Sequence, residues 1–306
     1  MTSRRMLLDT AGVYFRAFYS VPDTVTAPDG TPVNAVRGTL DAIARLVAEF
    51  GPAEVVACWD DDWRPQWRVD LIPSYKTHRV AEIVVAAPDI EVVPDPLSAQ
   101  VPIIAAVLDA LGIPVLGAAE HEADDVIGTL ASTSDLPVDV VTGDRDLFQL
   151  IDDARDVRVI YTGRGMSKLE VLDAAGLIGK YGVRPEQYAD FAAMRGDASD
   201  GLPGVAGIGE KGAATLLAQY GDLDGILAAA ADPGSAMSAG QRAKLAAASD
   251  YLAVAPKVVQ VVRDLDLPAF DATLGTADEA ACRALAQQYG LTSSMERALG
   301  ALRRVS

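Results

Sequence analysis

The sequence predicts an α/β fold, with a mostly parallel central sheet flanked by helices and a helical region after it. Short apolar runs alternate with helix-like segments in the first half of the chain, as in strands joined by crossover helices. Several of these runs end at an aspartate, and ligands collect at the carboxyl ends of such strands. After about residue 165, strand signals become rare and helix formers dominate. We therefore expect an α/β core over residues 1–165 and a helical region over 166–306.

The individual elements follow from the periodicity of apolar residues. Buried strands are predicted at 6–9, 54–59, 113–116 and 138–142, with helices at 36–50, 100–111 and 122–132. In the second region, helices are predicted at 169–180, 185–195 and 212–220. Residues 81–98 are punctuated by prolines and fit neither period. We expect them to form an excursion from the sheet, within a segment of about 76–103.

Composition narrows the class of protein. The chain has 306 residues, half of them hydrophobic, which is enough for a large core. Its two cysteines are too few for a disulfide framework and fit the reducing cytoplasm, the predicted location. The apolar run before Asp9 is too short for a signal peptide, and no uncharged apolar stretch is long enough to span a membrane.

Nine carboxylates fall at motif spacings in five short segments, and they are the main chemical signal of the chain. So many negative charges cannot converge in a poorly solvated site unless cations neutralise them. Oxygen ligands are those that Mg²⁺ and Mn²⁺ prefer. Single segments have simpler interpretations: acids in a first helical turn complement the helix dipole, and Asp9 could be a turn residue. Taken together, the segments predict a phosphoryl-transfer site for two or more Mg²⁺ or Mn²⁺ ions; the nine residues are Asp9, Asp60, Glu122, Asp124, Asp125, Asp144, Asp146, Asp197 and Asp200.

The net charge of −17 argues against broad, non-specific coating of nucleic acid. A negative net charge is compatible with a local patch of basic side chains. Any nucleic acid would be held by a few basic side chains together with metal ions, helix N-termini and backbone amides.

Several motifs carry a family resemblance, and they occur in the family's order: LLDTAGVYFRAFY, WD, SYKTHR, EADDVIGTLA, TGDRDLFQL and MRGDASDGLPGVAGIGEKGA. The chain resembles the bacterial 5′-3′ exonuclease/flap endonuclease family, which includes the amino-terminal nuclease domain of bacterial DNA polymerase I. The resemblance covers roughly residues 5–290 and implies a PIN-like 5′-nuclease core. No segment of polymerase size follows, so a stand-alone nuclease is expected.

The resemblance implies roles for particular residues. The first five of the nine carboxylates would serve the tighter ion, directly or through waters, and the last four would serve the second. Arg16, Lys76 and Arg79 would contact phosphate, and Tyr75 would stack on a base near the cut.

The stretch GVAGIGEKG contains a formal G-x-G-x-x-G, but no strand precedes it and no Ser or Thr follows its lysine. A dinucleotide site or a P-loop is therefore disfavoured. A helix-hairpin turn that lets the backbone approach a DNA phosphate is the better interpretation. The resemblance implies a helix-three-turn-helix at about 185–222, with K⁺ held by backbone oxygens and DNA contacts from Gly204, Val205, Gly207, Ile208, Gly209, Lys211 and Gly212.

Two departures from the family pattern stand out. Gly201 occupies the position after the Ser-Asp pair where the family commonly has Asn, with an unknown effect on the second-metal loop. The segment after Arg79 is apolar and acidic, so we expect activity to depend less on it than on Lys76 and Arg79.

The predicted function is structure-specific 5′-nuclease activity in DNA replication and repair. The protein, expected to be a monomer, would hydrolyse 5′-flap, nicked or 5′-ended duplex DNA, and RNA–DNA hybrid as a further candidate substrate, through metal-activated water. A DNA-junction binding protein with lapsed catalysis is the alternative, although nine unpaired acids would destabilise a fold that no longer bound metal. An aspartyl phosphatase is disfavoured because Ala11 stands where a second Asp would be needed.

Overall fold

The computed structural model describes residues 3–84, 87–274 and 277–305. Its central sheet has six strands in the order β5-β2-β1-β6-β7-β8. All neighbouring pairs are parallel except the last, in which β8 runs antiparallel to β7. This confirms the predicted mostly parallel sheet; its strands are β1 (Arg5–Asp9), β2 (Glu54–Cys58), β5 (Val115–Leu116), β6 (Val138–Thr142), β7 (Val157–Tyr161) and β8 (Glu170–Leu172), and a separate hairpin joins β3 (Val80–Glu82) to β4 (Ile90–Glu91).

Helices cover both faces of the sheet. The first part of the chain forms α1 (Thr10–Ser20), α2 (Asn34–Phe50), α3 (Gln66–Leu71), α4 (Asp95–Ser98), α5 (Val101–Ala110) and α6 (Ala123–Thr133). The second part forms α7 (Ala174–Tyr181), α8 (Tyr188–Arg195), α9 (Glu210–Tyr220), α10 (Leu223–Ala231), α11 (Ala239–Ala247), α12 (Ser249–Leu252), α13 (Ala255–Val259), α14 (Glu279–Tyr289) and α15 (Thr292–Val305).

Alternation along the strands divides the apolar interior into two cores. Leu7 of β1 faces a core that includes side chains of α6, α8 and α9. Met6 and Leu8 face the opposite core, with side chains of α2, α5, α14 and α15. Because successive strand residues point to opposite faces, an uninterrupted apolar strand can serve both layers. The last two helices therefore lie on the far face of the sheet, beside α2.

Three local differences from the sequence prediction have physical causes. The strand β7 was not predicted; it lies between β6 and the edge strand β8. Residues 170–172 form the short edge strand β8 instead of helix, because pairing with β7 outweighs the local helical pattern. The helix predicted there begins only at Ala174, after the N-cap Asp173 accepts a hydrogen bond from the Gly176 amide. Within the described part of the chain, no helix has the length and apolar character needed to cross a bilayer.

Candidate active site

The order of the strands brings distant carboxylates to one edge of the sheet. Asp9 ends β1, Asp60 follows β2 and Asp144 follows β6, and these three strands are neighbours. The start of α6 contributes Glu122 and Asp124 to the same place. Together the five side chains line a cavity of about 540 Å³, which also contains Arg16, Lys76 and Arg79.

Backbone and hydroxyl donors fix the first carboxylates in place. Asp9 caps α1: its Oδ1 accepts from the Gly12 amide at 2.8 Å, and its Oδ2 accepts from the Thr142 hydroxyl at 2.8 Å. Asp60 Oδ1 accepts from the Ala123 amide at the start of α6, also at 2.8 Å. These neutral donors orient the carboxylates without removing their charge.

The remaining acids lie beside the first group. Asp146 and Asp200 line a smaller cleft with Glu122 and Asp124. Asp144 Oδ1 accepts from the Asp146 amide at 2.8 Å, whereas Asp146 Oδ1 is buried and has no hydrogen-bond partner among the described residues. These contacts make one continuous acidic cluster from the two groups of predicted ligands.

Asp197 lies at the edge of this cluster. Its Oδ2 is 3.0 Å from an Arg195 guanidinium nitrogen and 3.7 Å from one of Arg145. Its Oδ1 accepts from the Ser199 amide at 2.9 Å. Among the described residues, Asp197 is thus the predicted second-ion ligand that arginine side chains already pair with.

Burial makes the cluster difficult to ionise. Desolvation raises the pKa of Asp60 to about 6, partly offset by the Ala123 amide and by Lys76. Desolvation also raises the pKa of Asp200 to about 6, with Lys76 opposing the rise. The pKa values of Asp124 and Asp146 lie well above the usual range, through desolvation first and then the charge of Asp144. Nearby positive charge would lower all of these pKa values.

The side chains of this cluster are suitable ligands for divalent cations of the Mg²⁺ or Mn²⁺ type. All the donors are oxygen atoms, one buried oxygen lacks a partner, and the carboxylates carry more negative charge than the neighbouring cations offset. With the side chains as they stand, no group of three or more His, Cys, Asp or Glu in the described residues is already arranged to hold an ion. Binding therefore requires side-chain adjustment within the cluster.

Asp125 differs from the other predicted ligands. It is fully buried, and its two oxygens accept from the Arg68 guanidinium at 2.7 and 2.8 Å. Its oxygens also accept from the Glu122 amide at 3.2 Å and the Val262 amide at 2.9 Å. Because these donors engage both oxygens, Asp125 in this arrangement would serve an ion only indirectly, as the prediction allows, and its ligand role stays a prediction. Its place is behind Glu122, with which it forms the capping box of α6.

Tyr75, which is predicted to stack on a base, lies in the core in this conformation. Its side chain is buried, with 4% exposed, and its hydroxyl donates to Glu122 Oε1 at 2.7 Å. The ring therefore has no free face for a base. Lys76 is buried as well, and its ammonium forms an ion pair with the other oxygen of Glu122.

The two predicted arginines both line the cavity. Arg79 donates its Nε to Glu91 Oε1 of β4 at 2.8 Å. Arg16 has a buried Nε without a hydrogen-bond partner among the described residues. A Cβ at Gly143 would lie 3.0 Å from a guanidinium nitrogen of Arg16, so this glycine makes room for the arginine beside Asp144.

The glycine-rich turn lies before α9, as expected for a helix hairpin. The side chains of Val205 and Ile208 are buried in the core, so only their backbone groups can face a ligand. Gly204 and Gly207 have positive φ angles, Gly209 is the N-cap of α9, and Lys211 and Gly212 are exposed in its first turn.

One backbone oxygen of this turn is already paired with a cation of the protein itself, and the predicted K⁺ site stays a prediction. The carbonyl oxygen of Gly207 accepts a hydrogen bond from the Lys244 ammonium of α11 at 2.9 Å. A second cation at the same oxygen would be repelled by that ammonium. The Gly207 oxygen is therefore not a K⁺ ligand in this arrangement.

Sequence reasoning missed three residues of the site. Arg68 and Arg195 form ion pairs with predicted ligands, and no sequence motif identified either arginine. Tyr19 lies one turn beyond Arg16 at the mouth of the cavity, with 72% of the residue exposed. The helical spacing of Gly12, Arg16 and Tyr19 could have identified it.

The chain is similar to known 5′-3′ exonucleases along most of its length. A family described as "5′-3′ exonuclease, N-terminal resolvase-like domain" matches residues 4–182, and one described as "5′-3′ exonuclease, C-terminal SAM fold" matches residues 183–280. A 5′-3′ exonuclease of Streptomyces coelicolor is 60% identical over 299 residues, which are 97% of this chain and 99% of the relative. A 5′-3′ exonuclease of Mycobacterium tuberculosis is 49% identical and covers 99% of this chain, with 98% of the relative covered.

Longer proteins and solved structures extend the similarity. DNA polymerase I of Mycobacterium tuberculosis is 40% identical over 226 residues, which are 72% of this chain and 24% of the polymerase. The zinc-bound 5′-exonuclease of phage T5 matches with a TM-score of 0.64 at 17% identity, over 99% of both chains. Flap endonuclease-1 of Methanococcus jannaschii matches with a TM-score of 0.62 at 14% identity, over 100% of this chain and 94% of the other. These two structures show that the fold is shared.

The family matches span most of the chain, and two relatives are similar over nearly their whole length. They confirm the resemblance that the motifs indicated. This chain belongs to the bacterial 5′-3′ exonuclease/flap endonuclease family of nucleases.

Proposed function

We propose that this chain is a divalent-metal-dependent, structure-specific nuclease that hydrolyses phosphodiester bonds in 5′-flap, nicked or 5′-ended duplex DNA. The observation that carries the proposal is the convergence of carboxylates from β1, β2, β6 and α6 on a cavity that also contains three cationic side chains. An RNA–DNA hybrid is a further candidate substrate.

The candidate metal-binding residues form two overlapping groups. Asp9, Asp60 and Asp124, with Glu122, line the larger cavity, and Asp146 and Asp200 lie in the adjoining cleft. Bound divalent ions would supply a water molecule of lowered pKa and would stabilise charge on the attacking and leaving oxygens. Asp144 lies between the groups and can serve either.

The basic side chains supply the remaining charge. Arg16, Lys76 and Arg79 line the same cavity, so a phosphate there can be contacted from several sides. Lys76 and Arg79 are currently paired with Glu122 and Glu91. We propose that phosphate replaces these carboxylates when DNA binds, so the resting ion pairs hold the cations in position until the substrate arrives.

The test is cleavage of a 5′-labelled flap substrate in Mg²⁺ and in Mn²⁺, with chelator as the blank. Asp9→Asn and Asp124→Asn should each lower turnover by orders of magnitude, because each removes a carboxylate from the cavity. Folding and DNA binding should be nearly unchanged. Asp109→Asn is the matched control, since it removes the same charge from an exposed position on α5. Wild-type turnover in either active-site variant would refute the assignment.

The same assay separates the proposal from the alternative of a junction-binding protein. A wild-type protein that binds the flap but does not cut it in any divalent ion would support the alternative. Cleavage abolished by chelator and restored by Mg²⁺ would exclude it.

A further inference from the structure

The loop that carries Asp197 and Asp200 is attached to the turn that carries Lys76. The backbone amide of Lys76 donates to the carbonyl oxygen of Asp200 at 3.0 Å. The Ser74 hydroxyl donates to the carbonyl oxygen of Gly201 at 2.8 Å, across 127 residues of sequence. Two hydrogen bonds thus connect the predicted second-metal loop to the base of the β3–β4 hairpin.

Gly201 is what permits this close approach. A Cβ at this position would lie 2.1 Å from the Ser74 carbonyl oxygen and 3.0 Å from the Ser74 carbonyl carbon. Both are backbone atoms, which cannot rotate aside as a flexible side chain can. Any other residue at 201 must therefore push the loop away from the turn, by roughly an ångström to reach ordinary van der Waals distance.

The attachment reaches further into the cavity. Lys76 adopts a positive φ of 48°, and its ammonium forms an ion pair with Glu122 at the start of α6. The backbone of one short turn therefore holds Asp200, while the side chain of the same turn neutralises Glu122. Loop, turn and helix start form one connected unit.

We propose that Gly201 is a positioning residue: by letting the loop dock on residues 74–76, it sets the Asp200 carboxylate and the Lys76 ammonium relative to each other. The ligands of the second ion and a phosphate-contacting cation are then assembled together. This inference rests on the proposed metal-dependent nuclease function.

The test variant is Gly201→Asn. Asn tolerates the left-handed backbone better than most residues, so the variant tests the Cβ contact more than the backbone angle. The matched control is Gly290→Asn at the end of α14. Gly290 has φ 67° and ψ 28°, close to the 70° and 22° of Gly201, and its Cβ would meet only Pro28 Cδ at 3.6 Å.

Two measurements are needed, one of them independent of catalysis. The first is titration of the DNA-free protein with Mn²⁺, followed by calorimetry or by the electron paramagnetic resonance of free Mn²⁺. Gly201→Asn should weaken the lower-affinity binding by about tenfold or more and leave the higher-affinity binding within about twofold. The second is flap cleavage against Mg²⁺ concentration, where the half-saturating Mg²⁺ should rise and the saturated rate fall by about 10- to 100-fold, as for a displacement of about 1 Å.

The outcomes separate the two proposals. Wild-type Mn²⁺ affinities and cleavage in Gly201→Asn, or equal losses in Gly290→Asn, would overturn the positioning role. If the wild-type protein does not cleave at all, the proposed function is wrong. The Mn²⁺ affinities of the wild type and of Gly201→Asn still test the role of Gly201 in that case.

A milder variant guards against misfolding of Gly201→Asn. Ser74→Ala removes a single hydrogen bond donated by an exposed residue. It should weaken the lower-affinity Mn²⁺ binding by about 3- to 10-fold, the usual contribution of one hydrogen bond. An unchanged affinity would contradict the proposal.

Discussion

In the absence of divalent ions, the free energy of unfolding of this protein should fall as the pH rises from about 5 to 7.5. Desolvation raises the pKa of Asp60 from 3.8 to about 6 in the fold. The folded state therefore holds this proton more tightly than the unfolded chain does. The resulting stabilisation is complete below about pH 4 and is lost as the pH rises through about 6.

The size of the effect follows from the pKa shift. A shift of about two units corresponds to about 3 kcal/mol over the whole range, of which about half falls between pH 5 and 7.5. The buried carboxyls of Asp124, Asp146 and Asp200 shift in the same direction, so the loss for the whole cluster exceeds that for Asp60 alone. The chain has only two histidines, so few other groups change charge in this window.

The assay is urea unfolding of the protein in chelator at several pH values, repeated in saturating Mg²⁺ at pH 7.5. The free energy of unfolding should fall by about 1.5 kcal/mol or more between pH 5 and 7.5. Asp60→Asn should show a smaller decrease, and Mg²⁺ should restore the stability of the wild-type protein. A flat or rising profile without metal, with no stabilisation by Mg²⁺, would refute the idea that cations make the acidic cluster tolerable.

Two further predictions concern the partners of the site. Arg68→Met should lower the free energy of unfolding by about 3–5 kcal/mol, because it leaves the buried charge of Asp125 without its arginine; a loss below about 1 kcal/mol in urea unfolding would contradict this. Arg79→Ala should slow flap cleavage at least about tenfold, since it removes a fixed cation from the cavity, whereas Ile83→Lys at an exposed position of the hairpin should change the rate little. Equal losses of cleavage rate in Arg79→Ala and Ile83→Lys would contradict this, since activity would then depend on the hairpin as much as on Arg79. Glu91→Lys is a poor control, because Glu91 pairs with Arg79.

Local sequence patterns predict much of this fold because they act over short distances. Apolar runs that lead into an aspartate predicted β1 and β2, and an apolar run bounded by Pro and Gly predicted β6. The parallel arrangement then placed Asp9 and Asp60 at the same edge of the sheet. The strand β7 was missed because charged residues lie within and beside its short apolar run, so the run gave no clear strand signal. Edge pairing by β8 was missed because the local pattern at residues 170–172 is helical, and pairing with β7 outweighs it.

The same contrast between local patterns and distant contacts holds for the candidate site. Carboxylates could be identified from residue type and spacing, but their individual partners could not. Asp125 is tied to Arg68, which lies 57 residues earlier, and Gly201 approaches the backbone of Ser74 across 127 residues. Such contacts depend on the complete fold and leave no periodic signal. For Tyr75, the family resemblance implied stacking on a base, whereas in the structure its hydroxyl donates a hydrogen bond to the buried Glu122.

The interior position of Arg68 has a consequence for how the polypeptide can be divided. Its Nε donates to the carbonyl oxygen of Val258 at 3.1 Å, and the Val262 amide donates to Asp125 at 2.9 Å. The strand-rich half thus depends on a segment near residue 260 to supply hydrogen-bond partners to two of its deeply buried charged side chains. A fragment truncated before that segment would leave the buried Arg68–Asp125 pair without two of its hydrogen-bond partners. The amino-terminal half expressed alone would therefore lack contacts that support its candidate metal ligands.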